Sequence, residues 1–474
     1  MRRWMLGLPL FLAVGLPATA QERPYTTARL GNGLTVVAME SHKVPLVTIV
    51  LAAKAGAMTE TPDINGLTHL WEHMFFKGNR NLPDQEAFNK KIRELGIVYN
   101  GDTAAEKVRY YFTLPSAFLD QGVSFMADAI QAPLLEPKEL EKERHVVLNE
   151  YERDAAQPSF DFMNLERNII YGKQEYLRDA LGLRPIIESA TRQQLLQIKD
   201  KVFVPANVAL LIAGDFKPAQ LQGLVMKYFA NWRSPKGWKA VKPPHFPPFP
   251  HTTAFVMTRP NVENANISLT FPGPKARTER TDSYAADILV SLLEQRSGRF
   301  YRKFVDSGLT YQAGLSYYTQ SQAGETEVYA MSSPKNAEKV HKLLLDEVKE
   351  WAKPGYFTQT QLDDVHRKLT ISRKREVNQP TEYVKTLAFW WAVTGFDYYD
   401  NYIPNMRKTG LKEVRAFVTK YLLGKPHIDG ILLSPQDAQK VGLKDTSKAL
   451  AAKYLSMYKT SAAATQRPTP TPKG

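Results

Sequence analysis

Apolar residues recur along this chain at two different spacings, and the switches between them mark its elements. LGNGLTVVAME sets Asn32-Gly33 between apolar stretches, the signal of a β-hairpin, and VPLVTIVLAAKAG continues as a β-rich run. Asp63-Ile64-Asn65-Gly66 then opens a helix that starts at LTHLWEH. Residues 84–95 read as an amphipathic helix ended by Gly96. VRYYFTLP has the pattern of a strand. SAFLDQGVSFMADAIQ reads as a helix with Ser116 at its N-cap, and PKELEKERHVVLNEYERDAAQ as another.

The same succession returns beyond a proline-rich run. Residues 234–251 hold six prolines in eighteen positions, which predicts an extended, semi-rigid connection. Before it, PSAFLDQGVSFMADAIQAP leads into EPKELEKERHVVLNEYERD; after it, SPKNAEKVHKLLLDEVKEW leads into TQTQLDDVHRKLTISRKRE. Aligning Leu140 with Leu362 sets an offset of 222 residues. At that offset Glu72 meets Glu294, His73 meets Gln295, His69 meets Ser291 and Glu150 meets Ser372. The expected division is a first domain over 21–233, the connection over 234–252, and a second domain over 253–460 that keeps the helices but not the histidines. A low-complexity tail over 461–474 is expected to be disordered.

Composition alters this picture in three places. Arg2 and Arg3 precede WMLGLPLFLAVGL, a run too short and too broken by proline and glycine to span a bilayer stably. Ala18-Thr19-Ala20 follows as a small-x-small cleavage pattern, so residues 1–20 read as a secretory signal rather than an anchor. The chain has no cysteine, which excludes disulfides and thiolate metal ligands; in an exported chain this fits a bacterial periplasm. Its net charge of +14 is scattered rather than gathered into a patch with interleaved aromatics. That argues against nucleic acid and for a mild attraction to acidic peptides or anionic envelope surfaces.

HLWEH at 69–73 carries the chemistry. On a helix His69 and His73 lie one turn apart on one face, where two imidazoles can share one Zn²⁺ while Glu72 takes a proton from water. The order H-x-x-E-H inverts H-E-x-x-H and marks the inverzincin metallopeptidases. A catalytic zinc wants a third protein ligand. The helix near 138–153 offers Glu139, Glu141, Glu143, Glu150 and Glu152. Of these Glu143 and Glu150, seven apart, share a stripe with Val146 and Val147, where a carboxylate needs a cation or hydrogen bonds. His145 points away from that stripe, His245 and His251 belong to the connection, and Phe389, Trp390 and Trp391 read as core or chamber wall.

GLTHLWEHMFFKGN, ELGIVYNGDTAAEKVRYYFTLP and LEKERHVVLNEYERD closely resemble, in this order, the motifs of the pitrilysin, insulin-degrading and mitochondrial-processing peptidase family. The resemblance implies that Glu150, 77 residues past His73, is the third zinc ligand. It implies Glu143 as the supporting carboxylate, Glu72 as general base, and one Zn²⁺ per active subunit. It continues through LLIAGDF and YFANW into the second half. There SGRFYRKFVDSGLTYQAG resembles a segment whose arginine and tyrosine reach the substrate across the cleft; they map to Arg299 and Tyr311. Two positions depart: the family's Asn-Ala is Asn100-Gly101 here, and its Gly-Gly is Gly96-Ile97. They fall on the strand expected to pair with substrate, so Asn100 is an expected substrate contact and subsite preference is what the departures touch.

The implied fold is α+β, with two related domains, each a mostly antiparallel or mixed sheet covered by helices. The implied activity is that of a zinc-dependent endopeptidase, periplasmic or secreted, hydrolysing extended or unfolded peptides in a chamber. Family members build that chamber from two such halves, so a chain of 474 residues is expected to pair with itself or with a related subunit lacking the zinc motif. No nucleic-acid partner and no stable membrane span are expected. The alternative is a non-catalytic polypeptide-binding or assembly subunit of a heterodimeric peptidase; the intact His69, Glu72, His73 and Glu150 speak against it.

Overall fold

The computed structural model describes residues 23–171, 180–242, 246, 249–322 and 324–454; the expected leader, the tail and His245 lie outside the described residues. The first half builds a six-stranded sheet from β1 (Thr26–Arg29), β2 (Thr35–Glu40), β3 (Leu46–Ala53), β4 (Val98–Thr103), β5 (Val108–Pro115) and β6 (Val208–Gly214). Their order is β1-β2-β6-β3-β5-β4, with β2 and β6 parallel and the other neighbours antiparallel. The expected hairpin turn joins β1 to β2, with Gly33 at φ +93, where a side chain would be strained.

Its helices are α1 (Leu67–Phe75), α2 (Gln85–Glu94), α3 (Leu119–Gln131), α4 (Pro137–Ala155), α5 (Phe160–Tyr171), α6 (Arg184–Glu188), α7 (Arg192–Val202) and α8 (Pro218–Phe229). One face of the sheet, including Ile49, Leu51, Phe112 and Ile212, packs with Leu70, Met74, Val123, Leu195 and Leu224 into the first core. The expected N-cap of α3 is not made. Residues Ser116–Phe118 form a 3-10 turn ahead of it, and the Ser116 hydroxyl donates instead to Asp215 Oδ2 at 2.8 Å, across to the end of β6.

The second half repeats the plan with β7 (Thr253–Thr258), β8 (Ala265–Pro272), β9 (Gln312–Tyr318), β10 (Glu325–Ser332) and β11 (Ile428–Leu433), in the order β7-β11-β8-β10-β9. Strand for strand this is β2-β6-β3-β5-β4, and again one pair, β7 with β11, is parallel. The helices are α9 (Arg280–Leu293), α10 (Arg299–Tyr301), α11 (Ala337–Trp351), α12 (Gln359–Val377), α13 (Pro380–Val393), α14 (Phe396–Asp400), α15 (Tyr402–Lys408), α16 (Leu411–Phe417) and α17 (Pro435–Val441). Helix α12 begins 222 residues after α4, and both have 19 residues. The offset read from the sequence is thus the offset of the fold.

Each sheet has its second face covered by a helix of the other half. Tyr383, Val384, Leu387, Ala388 and Trp391 of α13 pack on Val37, Val50, Ala52, Ala209 and Leu211 of the first sheet. Reciprocally, Phe162, Leu165, Ile169 and Ile170 of α5 pack with Phe255, Met257, Ile428 and Leu432 of the second. Covering on both faces explains why every residue of β6, and all of β3 but Leu46, is buried, as in a run without alternation. The proline-rich connection is itself pinned: Phe246 joins the α5 cluster, and Trp238 donates to the Lys201 carbonyl at 2.8 Å.

Candidate metal centre

Helix α1 starts at Gly66, which has φ +95 and no room for a side chain: a Cβ there would lie 2.7 Å from Gly182 Cα. The free backbone N–H groups of its first turn meet the fully buried carboxylate of Glu60. Thr68 N donates to Oε1 at 2.7 Å and Gly66 N to Oε2 at 2.8 Å, with the Asn65 amide at 3.0 Å. A carboxylate at a helix N-terminus is favoured by both hydrogen bonding and the helix dipole. Leu67, Leu70, Trp71, Met74 and Phe75 hold the helix in the core, Trp71 stacked on Phe203 and Phe75 on Tyr110. The 3.6-residue period then turns His69, Glu72 and His73 the other way, into a cleft.

Helix α4 faces α1 with Glu143, Val147 and Glu150 on one stripe. Leu140, Glu143 and Val147 are buried. Val146, expected on that stripe, is 40% exposed, because at three residues from Glu143 it falls on the stripe's edge. His145 is exposed, as expected.

The imidazoles of His69 and His73 stand perpendicular with centroids 4.8 Å apart. Glu150 Oε2 lies 3.8 Å from His69 Nε2 and 3.6 Å from His73 Nε2. Among the described residues these three form a set whose ligand atoms all fall within 4.8 Å of one another. The spacing is long for direct hydrogen bonds yet close to that of ligands on one tetrahedral ion, where bonds of about 2.1 Å set neighbours about 3.4 Å apart. Two imidazoles and one carboxylate are also the donor set of a catalytic zinc. The residues present therefore fit the ion.

Behind them, Glu143 Oε2 lies 3.1 Å from His73 Nδ1, while its Oε1 takes the Lys77 ammonium at 2.7 Å. That contact fixes the ring and leaves Nε2 turned to Glu150. Burial opposes charging of His73, but the Glu143 and Glu150 carboxylates outweigh it and lift its pKa to about 9 in the absence of metal. Burial also works against ionisation of Glu143, and is outweighed by His73 and Lys77, which hold its carboxyl below the usual range. Glu150 is held low as well, first by His73.

Glu72 differs. Burial pushes its carboxyl above the usual range, and the hydroxyl of Thr103, donating to Oε2 at 2.5 Å, offsets only part of this. A desolvated carboxyl of raised pKa beside a metal set is suited to proton transfer near neutral pH.

The cleft around these groups, about 490 Å³, is walled by Phe76, Gln85, Tyr99, Asn100 and Asp102. A second cavity of about 380 Å³ opens on the far side of Glu150 toward Phe160, Met163 and Arg167. β4 is the edge strand of its sheet, and Asn100 on it is exposed. Arg299 and Tyr311 are not brought to the site. Neither lines these two cavities; Arg299 is exposed near the Tyr356 ring, and Tyr311, 60% exposed, stands just ahead of β9. Glu60 and Thr103 were missed from the sequence, where each lies outside any periodic pattern and contacts α1 only through the fold.

Two family models match the chain: "Insulinase (Peptidase family M16)" over residues 35–176 and "Peptidase M16 inactive domain" over residues 189–369. An uncharacterized zinc protease of Rickettsia felis is 26% identical over 327 residues, 68% of this chain and 77% of that protein. Zinc protease PqqE of Helicobacter pylori is 25% identical over 395 residues, 81% of this chain and 85% of PqqE. Among solved structures, a protease from Helicobacter pylori superposes with a TM-score of 0.78 at 22% identity, covering 86% of this chain and 99% of that one. The periplasmic protease PqqL of Escherichia coli does so at 0.74 and 17% identity, covering 97% of this chain but 52% of PqqL.

Proposed function

Since the chain belongs to the insulinase family, peptidase family M16, we propose that it is a zinc-dependent endopeptidase of extended or unfolded peptides. The observation that carries this is the convergence of His69 Nε2, His73 Nε2 and Glu150 Oε2 beside the desolvated carboxyl of Glu72. A Zn²⁺ held by those three residues supplies a Lewis acid and brings the pKa of a coordinated water to about 7. Glu72 accepts a proton from the attacking water and returns one to the leaving amine. Glu143 keeps His73 in the tautomer whose Nε2 carries the lone pair, and Lys77 keeps Glu143 ionised. A peptide adds to β4 as an outer strand past Asn100, with alternate side chains in the two cavities.

Arg299 and Tyr311 then serve a cleft closed by a second chain, a copy of this one or a related subunit without the histidines. The match to about half of PqqL supports a working unit of two such chains. The leader pattern at 1–20 supports export to the periplasm or beyond, and no described helix is long and apolar enough to cross a membrane.

The test is a set of three variants. Glu72→Gln is expected to retain zinc and lose cleavage of an unfolded peptide, whereas His73→Ala and Glu150→Ala lose zinc. A full zinc complement by elemental analysis in either of the last two overturns the ligand assignment. Near-normal turnover in Glu72→Gln overturns the proton transfer. Native mass measurement is expected to give two chains.

A further inference from the structure

The β4–β5 hairpin runs from the proposed site to the second half, and two of its contacts have no part in the chemistry above. Thr103, the last residue of β4, donates to Glu72 Oε2 at 2.5 Å. Gly101, on the same face of β4, lets the strand come this close: a Cβ there would lie 2.6 Å from Glu72 Oε1. The carboxylate is therefore pressed against a bare backbone, with one oxygen occupied by a hydroxyl and the other left to the cleft. Beyond the turn Glu106, 4% exposed, accepts from the backbone N–H of Ser321 at 2.9 and 3.1 Å and from its hydroxyl at 3.0 Å. Ser321 belongs to the β9–β10 loop of the second half, 215 residues along the chain. Backbone bonds from Ala57 and Met58 to Ala104 and Ala105 hold the other side of the turn.

A glutamate side chain has three rotatable bonds, and proton transfer to it needs one oxygen aimed at the water within a few tenths of an ångström. A charge-assisted hydrogen bond to the other oxygen is what fixes the plane. We propose that Thr103 is a positioning residue for Glu72, and that Glu106, by bonding the hairpin to Ser321, makes the second half a part of that alignment. This rests on the endopeptidase reading.

The experiment measures kcat, KM, zinc content and melting temperature of the full chain on one unfolded fluorogenic peptide. Thr103→Val is expected to lower kcat roughly 10- to 100-fold, the loss that follows from misplacing a reacting group by about 1 Å, with KM, zinc and melting temperature as in the wild type. Thr103→Ala, which adds no bulk, gives the same loss, and Thr103→Ser recovers most of the rate. Glu106→Gln lowers kcat by less, and lowers it no further in a Thr103→Val background, because both act on one carboxylate. A wild-type kcat in Thr103→Val or Thr103→Ala overturns the proposal. So does a loss of rate matched by loss of zinc or of melting temperature. Independent, multiplying effects of the two substitutions overturn the part given to Glu106. A wild-type chain without chelator-sensitive cleavage, or Glu72→Gln as active as wild type, removes the endopeptidase reading itself. An inactive Glu72→Gln beside an unaffected Thr103→Val removes only this inference.

Discussion

Glu143 does two jobs that substitution can separate. Its carboxylate is 4% exposed, holds His73 Nδ1 at 3.1 Å and takes the Lys77 ammonium at 2.7 Å. Glu143→Ala removes the hydrogen bond that orients the imidazole, and loss of such an outer partner lowers metal affinity about 10- to 100-fold. It also strands the Lys77 ammonium, whose side chain is 12% exposed, without its carboxylate. Breaking one side of a buried pair costs about 3–5 kcal/mol. The flexible stem of Lys77, next to an open cleft, puts the expected loss at the lower end, about 3 kcal/mol. Glu143→Gln keeps an acceptor for Nδ1–H and loses only the charge. Zinc affinity should therefore fall much further in the alanine variant than in the glutamine variant, while apo-protein stability falls in both. Competition against a chromophoric chelator measures the first quantity and urea unfolding of the chelated protein the second. If alanine leaves zinc affinity at its wild-type value, or if glutamine costs as much affinity as alanine, the orienting role of Glu143 is wrong.

Other outcomes follow from single contacts. Glu60→Ala leaves two first-turn N–H groups of α1 without their buried acceptor and should cost about 3 kcal/mol, read as a lower urea midpoint. Gly56→Ala sets a Cβ 1.9 Å from the Ala104 carbonyl oxygen at φ +122, and should lower the melting temperature while disturbing the hairpin that carries Thr103. Glu166, buried against Ser268 and Thr270, has its pKa raised to about 8, first by burial and then by Glu327. Its unfolded counterpart ionises above about 4.5, so between there and about 8 the unfolded chain has released a proton that the folded one keeps. That contribution to stability is complete at low pH and lost as pH rises through this window, by at most about 1.4 kcal/mol per unit. Glu166→Gln should flatten the fall of urea midpoint with pH; an unchanged slope refutes the assignment.

Much of the site was legible because its signals are local. His69, Glu72 and His73 share a helical turn, and Glu143 and Glu150 share a stripe of α4, so spacing alone set their faces. The repeat was legible through α4 and α12, whose equal length preserves one offset. What spacing does not carry is the contact made across the fold. Thr103 meets Glu72 from 31 residues away, Glu60 reaches back over the start of α1, and Ser116 gives up a cap for an aspartate 99 residues distant. Arg299 and Tyr311 mark a further limit: resemblance maps two residues onto a segment, but which chain's cleft that segment faces is a property of the assembly.

The interlocking of the halves gives a physical reason for a second half without histidines. Helix α13 lays Tyr383, Val384, Leu387 and Trp391 on the rear of the metal-bearing sheet. At about 2 kcal/mol for each large side chain buried, these four contribute on the order of 8 kcal/mol, comparable with the whole net stability of a domain. Stripped of that helix, the first sheet would expose Val37, Val50 and Leu211 to water, on strands that carry no polar alternation to spare. The second sheet stands in the same relation to α5. Neither half is therefore a free-standing module. Loss of the metal ligands from one copy removes a reaction centre but not a sheet cover or the Ser321 bond to the hairpin. Those contacts make demands on apolar faces and loop geometry alone, which Ser291, Gln295 and Ser372 leave untouched.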